Sequence, residues 1–583
     1  MCGIFALLNN YFDKVYVYDE FIKGKNRGPE FSKLDFNYLK MVLGFHRLAI
    51  NGLNMESNQP LVIENIVLIC NGEIYNYKQL YEYMNINPYT GSDCEVIIHL
   101  YLKYGIEQTL TMLDGVYSFI LLDYRISDNL CNNIYIARDP YGVRPLYYLK
   151  SNTDDLSKRL QIYGFASELK CLESFYNTNN NYSIEQFSPG TYSVFTLTNQ
   201  ISSIWQPVRE NISYFIPTFS YNFSLNSSMC ELSKFHKNIL HFLQLAVDKR
   251  CLTTERPIAC LLSGGLDSSL ISALVSDYYR KNNMEKPLET YSIGLKGSED
   301  LKYAKIVADW IESNHTEIIV TEKEMFEAIP DVIYAIESYD TTTVRASLGN
   351  YLLGKYIAKH SKAKVIFNGD GSDEIFGGYL YMKNCPDDIE FDKESRRLLK
   401  DIHLFDVLRS DKSISSNGLE PRTPFLDRNL VNYVLSIPPK FRNHNNFGTM
   451  EKSILRDGFL TTTSKDRFLD HRCRQLLPDS ILLRKKEAFS DGVSSQGRSL
   501  YVILQEFISA ELNLKESTNK YTPCIETEKY YYYKLFNLFY PNCSHIVPYF
   551  WMPKYINASD PSARTLEIYS NEEENIVNIE IEN

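Results

Sequence analysis

Three short stretches of this chain carry residue types that could do chemistry. The first, Ser263-Gly264-Gly265-Leu266-Asp267-Ser268-Ser269, follows the apolar run 258–262 and leads into a helical pattern over 270–279. Hydroxyls and glycine N–H groups at a helix start suit a phosphate, and Asp267 adds a carboxylate where Mg2+ would bridge phosphate oxygens. No lysine follows the glycines, so this is not a Walker loop. A tight strand-to-helix turn with a capping serine is the bland alternative. The second stretch, Asn368-Gly369-Asp370-Gly371-Ser372-Asp373-Glu374, follows Val365-Ile366-Phe367. Three carboxylates among glycines make either an ion-facing loop or an acidic surface turn. The third is Cys2: with Met1 removed, one residue holds both a thiol and an α-amine. An amine with a pKa of about 8 can act as base for its own thiol, so an amidase could work without a Cys–His pair.

Rigid elements must stand behind these loops, and the chain shows two textures. Up to residue 205, apolar runs alternate with turn signals: 67–70 before Asn71-Gly72, 117–122 after Asp114-Gly115, and 134–137 before Asp139-Pro140-Tyr141-Gly142. That density predicts sheets, with a helix over 93–104 from apolar residues at 96, 97, 100 and 101. A Ser-, Asn- and Pro-rich linker is expected over 206–230, and a polar tail over 568–583. Between them, 231–567 reads as a second domain. Strands at 258–262, 290–293 and 365–367 alternate with helices beginning at Ser268 and Tyr303. This predicts a parallel α/β sheet with ligands beyond the carboxyl ends of its strands. The Asn-rich patches 177–181 and 443–446 read as surface loops.

At 583 residues the chain exceeds one hydrophobic core. Its net charge of −11 argues against a general nucleic-acid binder, and no apolar run approaches a membrane span of about 18 residues. The start lacks a basic leader, and the 12 cysteines show neither C-x-x-C nor zinc spacing, which favours a reducing, cytoplasmic setting.

The string Ser263–Ser269 resembles the pyrophosphate loop of N-type ATP pyrophosphatases, which cleave ATP to AMP and pyrophosphate. In order, Thr341-Thr342-Thr343-Val344-Arg345-Ala346-Ser347, the 369–379 stretch, 418–427, 484–492, Trp551-Met552-Pro553 and 558–566 resemble segments of asparagine synthetases. Upstream, Asn26-Arg27-Gly28-Pro29-Glu30, His46-Arg47-Leu48-Ala49-Ile50, Asn71-Gly72-Glu73, Ser92-Asp93-Cys94-Glu95 and 139–146 resemble class II glutamine amidotransferases. The resemblance runs to about residue 567. It implies an N-terminal-nucleophile αββα sandwich followed by a HUP-like ATP-pyrophosphatase domain. It further implies that L-glutamine supplies ammonia to an ATP-activated L-aspartate through β-aspartyl-AMP, with Mg2+, without a tightly bound organic cofactor, and in a homodimer. Cys2 would be the nucleophile, with the Asn71 side chain and Gly72 N–H as oxyanion hole. Glutamine would be held by Arg47, Leu48, Ala49, Ile50, Asn51, Asn71, Gly72, Glu73 and Asp93, Arg47 taking its carboxylate and Asp93 its ammonium. Leu262, Ser263, Gly264, Gly265, Asp267, Ser268, Ile293, Asn368 and Gly369 would meet ATP, with Asp267 and Asp373 at the metal and Lys486 at the reacting phosphate. By itself, Lys486 could equally be a solvated surface lysine. Arg345 is a candidate for the aspartate or acyl-adenylate.

The family usually reads G-E-G-S-D-E where this chain has Asp370, one methylene shorter, at a catalytic position sensitive to ~1 Å. Pro421 and Thr423 replace aliphatic residues, and Asn26 a histidine. Two other classes are open: a β-lactam-synthetase-like enzyme, which would need no Cys2, Arg47, Asn71 or Asp93, and a non-catalytic relative, for which loss of Cys2 or Asp267 would speak.

Overall fold

The strand-rich first half folds as two stacked antiparallel sheets. The computed structural model describes all residues except 39, 126–131, 152–160, 179–181, 198–203, 217–229, 449, 461–469, 473, 517–519, 568 and 570–583. The strands are β1 (Gly3–Leu8), β2 (Phe31–Tyr38), β3 (Met41–Arg47), β4 (Leu61–Ile63), β5 (Ile66–Ile74), β6 (Gly115–Asp123), β7 (Asn132–Arg138), β8 (Tyr147–Ser151), β9 (Tyr163–Ala166), β10 (Tyr182–Gln186), β11 (Thr191–Leu197) and β12 (Trp205–Ser213). One sheet has the order β10-β8-β9-β1-β3-β2, the other β12-β11-β7-β6-β5-β4. In the first, β1 pairs β3 with Gly3 opposite His46, and β9 with Phe5 opposite Ala166.

Successive side chains on a strand face opposite ways, so each strand feeds two layers. Ile4, Ala6 and Leu8 meet Leu43, Phe45, Val67, Ile69, Ile120 and Leu122 between the sheets. Phe5 and Leu7 turn outward onto Val17 and Phe21 of the helix Lys14–Ile22. Leu68, Cys70, Phe119 and Leu121 turn toward the helices Tyr77–Met84 and Val96–Met112. With both faces of each sheet covered, the apolar runs are continuous instead of alternating, and the layers form the αββα sandwich.

The expected linker begins too early. Residues 205–213 are β12, an edge strand paired to β11 with Leu197 opposite Trp205. Its polar sequence misled because an edge strand with one neighbour buries little beyond Trp205. The rest of the linker, 217–229, lies outside the described residues, as do most of the 568–583 tail and residues 179–181 of the first Asn-rich patch. The second patch is not a simple surface loop: Asn443 and His444 are buried, and Asn445 Nδ2 donates to the Met382 carbonyl at 3.1 Å.

The second half is built on β13 (Ile258–Leu261), β14 (Glu289–Leu295), β15 (Asn314–Val320), β16 (Val365–Phe367) and β17 (Glu420–Arg422). They form one parallel sheet in the order β15-β14-β13-β16-β17. The helix Leu266–Lys281 follows β13, and Glu299–Ile311 follows β14. The latter starts before Tyr303 because Ser298 accepts from Leu301 N as cap and Glu299 and Asp300 occupy the first turn. Among the described residues no helix is long and apolar enough to cross a membrane.

The halves share apolar clusters: in one, Leu48, Ile50, Tyr75 and Val143 join Ile239 and Phe425, and in another Tyr147 and Ile184 join Ile329 and Tyr540. Buried ion pairs cross the same boundary: Arg27 with Asp411 at 2.7 Å, and Arg422 with Glu73 at 3.4 Å. Breaking such a pair from one side costs about 3–5 kcal/mol, so these pairs resist relative rotation of the domains.

Candidate active sites

Cys2 stands immediately before β1, its Sγ donating to the Leu48 carbonyl at 3.7 Å, while Arg27 Nε holds the Cys2 carbonyl at 3.0 Å. Burial pushes the thiol pKa up, and the neighbouring terminal amine and Arg47 draw it back. Arg47, closing β3, donates to the Asn54 carbonyl at 2.9 Å, to Asn58 Oδ1 at 2.6 Å and to the Asn51 and Gly52 carbonyls, so the 48–58 loop curls around its cation. That loop is also gripped from the second domain: Arg256 Nε donates to the Ala49 carbonyl at 2.8 Å and Glu255 N to that of Ile50 at 3.0 Å.

Asn51 Nδ2 donates to Glu73 Oε2 at 2.7 Å and to Asp93 Oδ1 at 3.4 Å, and Ile74 N to Asp93 Oδ2 at 2.7 Å. Burial pushes Asp93 up to about 6 and, with the Asp93 charge, drives Glu73 well above the carboxylate range. Two buried carboxylates therefore face each other across one amide, a place where an ammonium would be welcome. Asn71 and Gly72 lie on β5, Asn71 Nδ2 reaching Ser167 Oγ at 3.4 Å beside Ile4. The start of β1 and the end of β3 thus meet at the thiol, and β5 is linked to β1 through Ser167.

In the second domain a cavity lies at the carboxyl ends of β13 and β16. Leu262, Ser263, Gly265, Asp267, Ser268, Ile293, Asn368, Gly369, Asp370, Asp373 and Lys486 all line it; Gly264 does not. The two loops touch, since a Cβ on Gly369 would come within 2.7 Å of Ser268 N, a distance only a hydrogen tolerates. Lys486 Nζ lies 2.7 Å from Asp373 Oδ2 and 3.8 Å from Asp267 Oδ2. Lys452 Nζ bridges the same carboxylates at 2.6 Å from Asp267 and 2.7 Å from Asp373. Burial alone would raise Asp373, but the two ammonium groups hold it well below the usual carboxylate range. Asp267 Oδ1 is buried with no hydrogen-bond partner among the described residues. Two hard oxygen donors beside a spot that already attracts cations fit Mg2+, which binds through one or two carboxylates plus substrate phosphates.

Asp370 Oδ1 accepts from Arg409 Nη2 at 3.0 Å, Oδ2 is buried without a partner among the described residues, and burial raises the carboxyl pKa. Glu374, bonded by Tyr379 at 2.6 Å, is driven well above the carboxylate range by burial and by Asp406 and Asp373.

Arg345 requires a correction. Its guanidinium does not enter the cavity: Nε and Nη2 donate to Glu528 at 2.8 and 2.6 Å, and Nη1 and Nη2 to Asp560 at 2.7 and 2.9 Å. With both forks filled by these two carboxylates and 3% of the residue exposed, the guanidinium is committed away from the cavity. Conversely, Lys452 and Arg409 line the cavity and were missed. Lys452 sits in an unremarkable Met450-Glu451-Lys452-Ser453 run. Arg409 lies on the helix Asp406–Ser415, in which Arg409, Asp411 and Lys412 are buried while Asp406 is half-buried, against the usual rule for charged helix faces.

A thiol at the head of an αββα sandwich, joined to a parallel sheet whose strand ends present phosphate- and cation-suited loops, defines a two-domain amidotransferase. Residues 1–227 match the glutamine amidotransferase domain, and residues 238–389 and 383–545 match asparagine synthase. The chain is 39% identical to "Asparagine synthetase [glutamine-hydrolyzing]" of Gallus gallus, over 98% of this chain and 99% of that one. Its counterparts of Cricetulus griseus and Homo sapiens are 38% and 37% identical over the same shares. The chain belongs to the glutamine-hydrolysing asparagine synthetase family.

Proposed function

We propose that this chain converts L-aspartate to L-asparagine with ATP and with ammonia taken from L-glutamine. The observation that carries the reading is the facing pair Asp267 and Asp373 with Lys452 and Lys486 between them, at strand ends beside a Ser-Gly-Gly loop.

In the first domain the Cys2 sulfur attacks the glutamine side-chain amide carbon, a thioester forms, and ammonia leaves with the proton from the thiol. Water then hydrolyses the thioester to glutamate. Arg47 receives the substrate α-carboxylate, Asp93 its ammonium, and Asn71 with Gly72 the developing oxyanion. The α-amine that Cys2 gains on loss of Met1 serves as the base.

In the second domain an oxygen of the aspartate β-carboxylate displaces pyrophosphate from the α-phosphorus of ATP, giving β-aspartyl-AMP. Ammonia attacks the acyl carbon, and AMP leaves. A free carboxylate has no good leaving group, and adenylation supplies one. Lys452 and Lys486 neutralise charge gathering on the departing pyrophosphate, and Asp370 takes the proton from the attacking ammonia. Mg2+, held by Asp267 and Asp373, would supply Lewis-acid charge at the phosphates. The reading extends to a cytoplasmic homodimer. Free cysteines among the described residues, seven of the nine buried, suit a reducing compartment, and sedimentation tests the assembly.

Incubation with amide-15N glutamine, aspartate, ATP and Mg2+ tests the whole reaction. Labelled asparagine, glutamate, AMP and pyrophosphate are expected, and aspartate-dependent ADP would refute it.

A further inference from the structure

Trp551 and Ala563 line the nucleotide cavity, although the stretch that joins them is almost without regular secondary structure. Trp551, Asp560 and Ser562 are nevertheless buried. The stretch is tied down by polar anchors, several of which belong to or adjoin a residue of the cavity wall. Trp551 N donates at 2.7 Å to Asp340 Oδ1, and the other oxygen of Asp340 caps the helix Thr341–His360 through Thr343 N at 2.9 Å. Asp560 takes the second fork of Arg345, one helical position before the cavity-lining Ala346, and also accepts from Gln505 Nε2 at 3.2 Å. Ser562 Oγ and Ala563 N donate to Asp491 at 2.7 and 3.1 Å. Arg564 Nε reaches Glu487 Oε2 at 3.3 Å, while its Nη1 holds the Ser495 carbonyl at 2.8 Å. Tyr569 then meets both neighbours of Lys486, its hydroxyl on Glu487 and its carbonyl accepting from Lys485 Nζ at 2.7 Å.

An irregular stretch has no ladder of its own hydrogen bonds, so its placement depends on these anchors. Two of them act on groups that must be held to within a fraction of an ångström. We propose that Asp560 and Arg564 are positioning residues of the synthetase site: locked by Arg345 and Glu487, they hold the 551–564 segment as a wall of the nucleotide cavity and keep the 484–487 turn, with Lys486, aimed at the phosphates. This rests on the synthetase reading above. The cation of Arg345 serves the site indirectly, through Asp560, instead of through the substrate.

The test uses full-length protein with Asp560→Asn, Arg564→Met and Arg564→Lys. Asp560→Asn removes a charge while Arg345 keeps Glu528, so the buried cation stays paired. Ammonia-dependent kcat/KM for ATP should fall about a hundredfold in Asp560→Asn and Arg564→Met, the scale of a ~1 Å misplacement. Glutamine hydrolysis, carried by the other domain, should stay at wild-type level and so reports folded protein. Arg564→Lys should recover part of the loss, and trypsin should cut after Lys554 sooner in the impaired variants than in wild type. Unchanged kcat/KM with unchanged trypsin resistance would overturn the inference, as would a parallel fall of both activities without recovery by Arg564→Lys. Wild-type protein that makes no asparagine would overturn the functional reading instead, and the trypsin comparison would still decide the anchoring.

Discussion

Asp370→Asn should nearly abolish asparagine formation, and the structure sets the size of the effect. One carboxylate oxygen is committed to Arg409 at 3.0 Å; the other is buried and free of partners among the described residues, in a carboxyl whose pKa burial has raised. The committed oxygen survives as the amide oxygen of Asn, so Arg409 keeps its acceptor and the fold should change little. What disappears is the oxygen that can take a proton. General-base assistance is worth about 10²–10⁴ in rate, or about 2.7–5.4 kcal/mol at ~1.4 kcal/mol per tenfold. A backbone shift cannot restore the reach of the missing methylene. Gly369 is pressed against Ser268, and Gly371, at φ 94°, has its Cα hydrogen where a Cβ would strike Leu426 at 2.6 Å. Reach must come from the side chain, and Asp370→Glu adds about 1.5 Å. That variant should preserve or raise the rate. Quenched reactions with saturating ammonia, following AMP and asparagine together, give the answer. Full output from Asp370→Asn at wild-type thermal stability would refute the reasoning and leave Asp370 a loop residue.

Cys2→Ala should lose glutamine hydrolysis while ammonia-dependent synthesis persists, because among the described residues none of the first domain lines the synthetase cavity; residual glutaminase activity would remove Cys2 from its role. Mass spectrometry of active protein should find Cys2 at the N-terminus, and an active enzyme retaining Met1 would contradict the α-amine as base. Lys452→Met should lower kcat/KM for ATP by about 10²–10³, the usual loss of a single charge-stabilising donor, and wild-type kinetics would make Lys452 only a filler between two carboxylates. Asp93 titrates at about 6, so as pH falls through that value it should lose its charge and the KM for glutamine should rise. Ammonia-dependent synthesis, compared at fixed free ammonia, should not share that rise, and a glutamine KM flat from pH 7 to 5 would dissociate Asp93 from the substrate ammonium. Because the folded pKa is raised, the native state binds more protons than the unfolded chain between 3.8 and about 6. This group therefore subtracts stability as pH rises through that window.

Much of the site could be read without coordinates, for a local reason. A strand that runs into Ser-Gly-Gly at a helix start, or into alternating Gly and Asp, states its purpose within a dozen residues, because turn chemistry and helix ends are short-range physics. The apolar runs at 258–262 and 365–367 likewise announced strands of one sheet, and the Cys2, Asn71 and Asp93 segments their domain. What tertiary structure alone decided concerns charge. An arginine in sequence is a cation with five donors, and nothing nearby says who receives them: Glu528 and Asp560, far along the chain, fill both forks of Arg345. Lys452 had no local mark either, since Asp267 and Asp373 arrive from other strand ends, and Arg409, though paired locally with Asp406 at 3.0 Å, meets Asp370 only through the fold. Hydrophobic period fixes which face of an element is covered. The partner of a buried ion is set only when the chain closes on itself, because the cost of burying charge is relieved by whichever opposite charge the fold brings within about 4 Å.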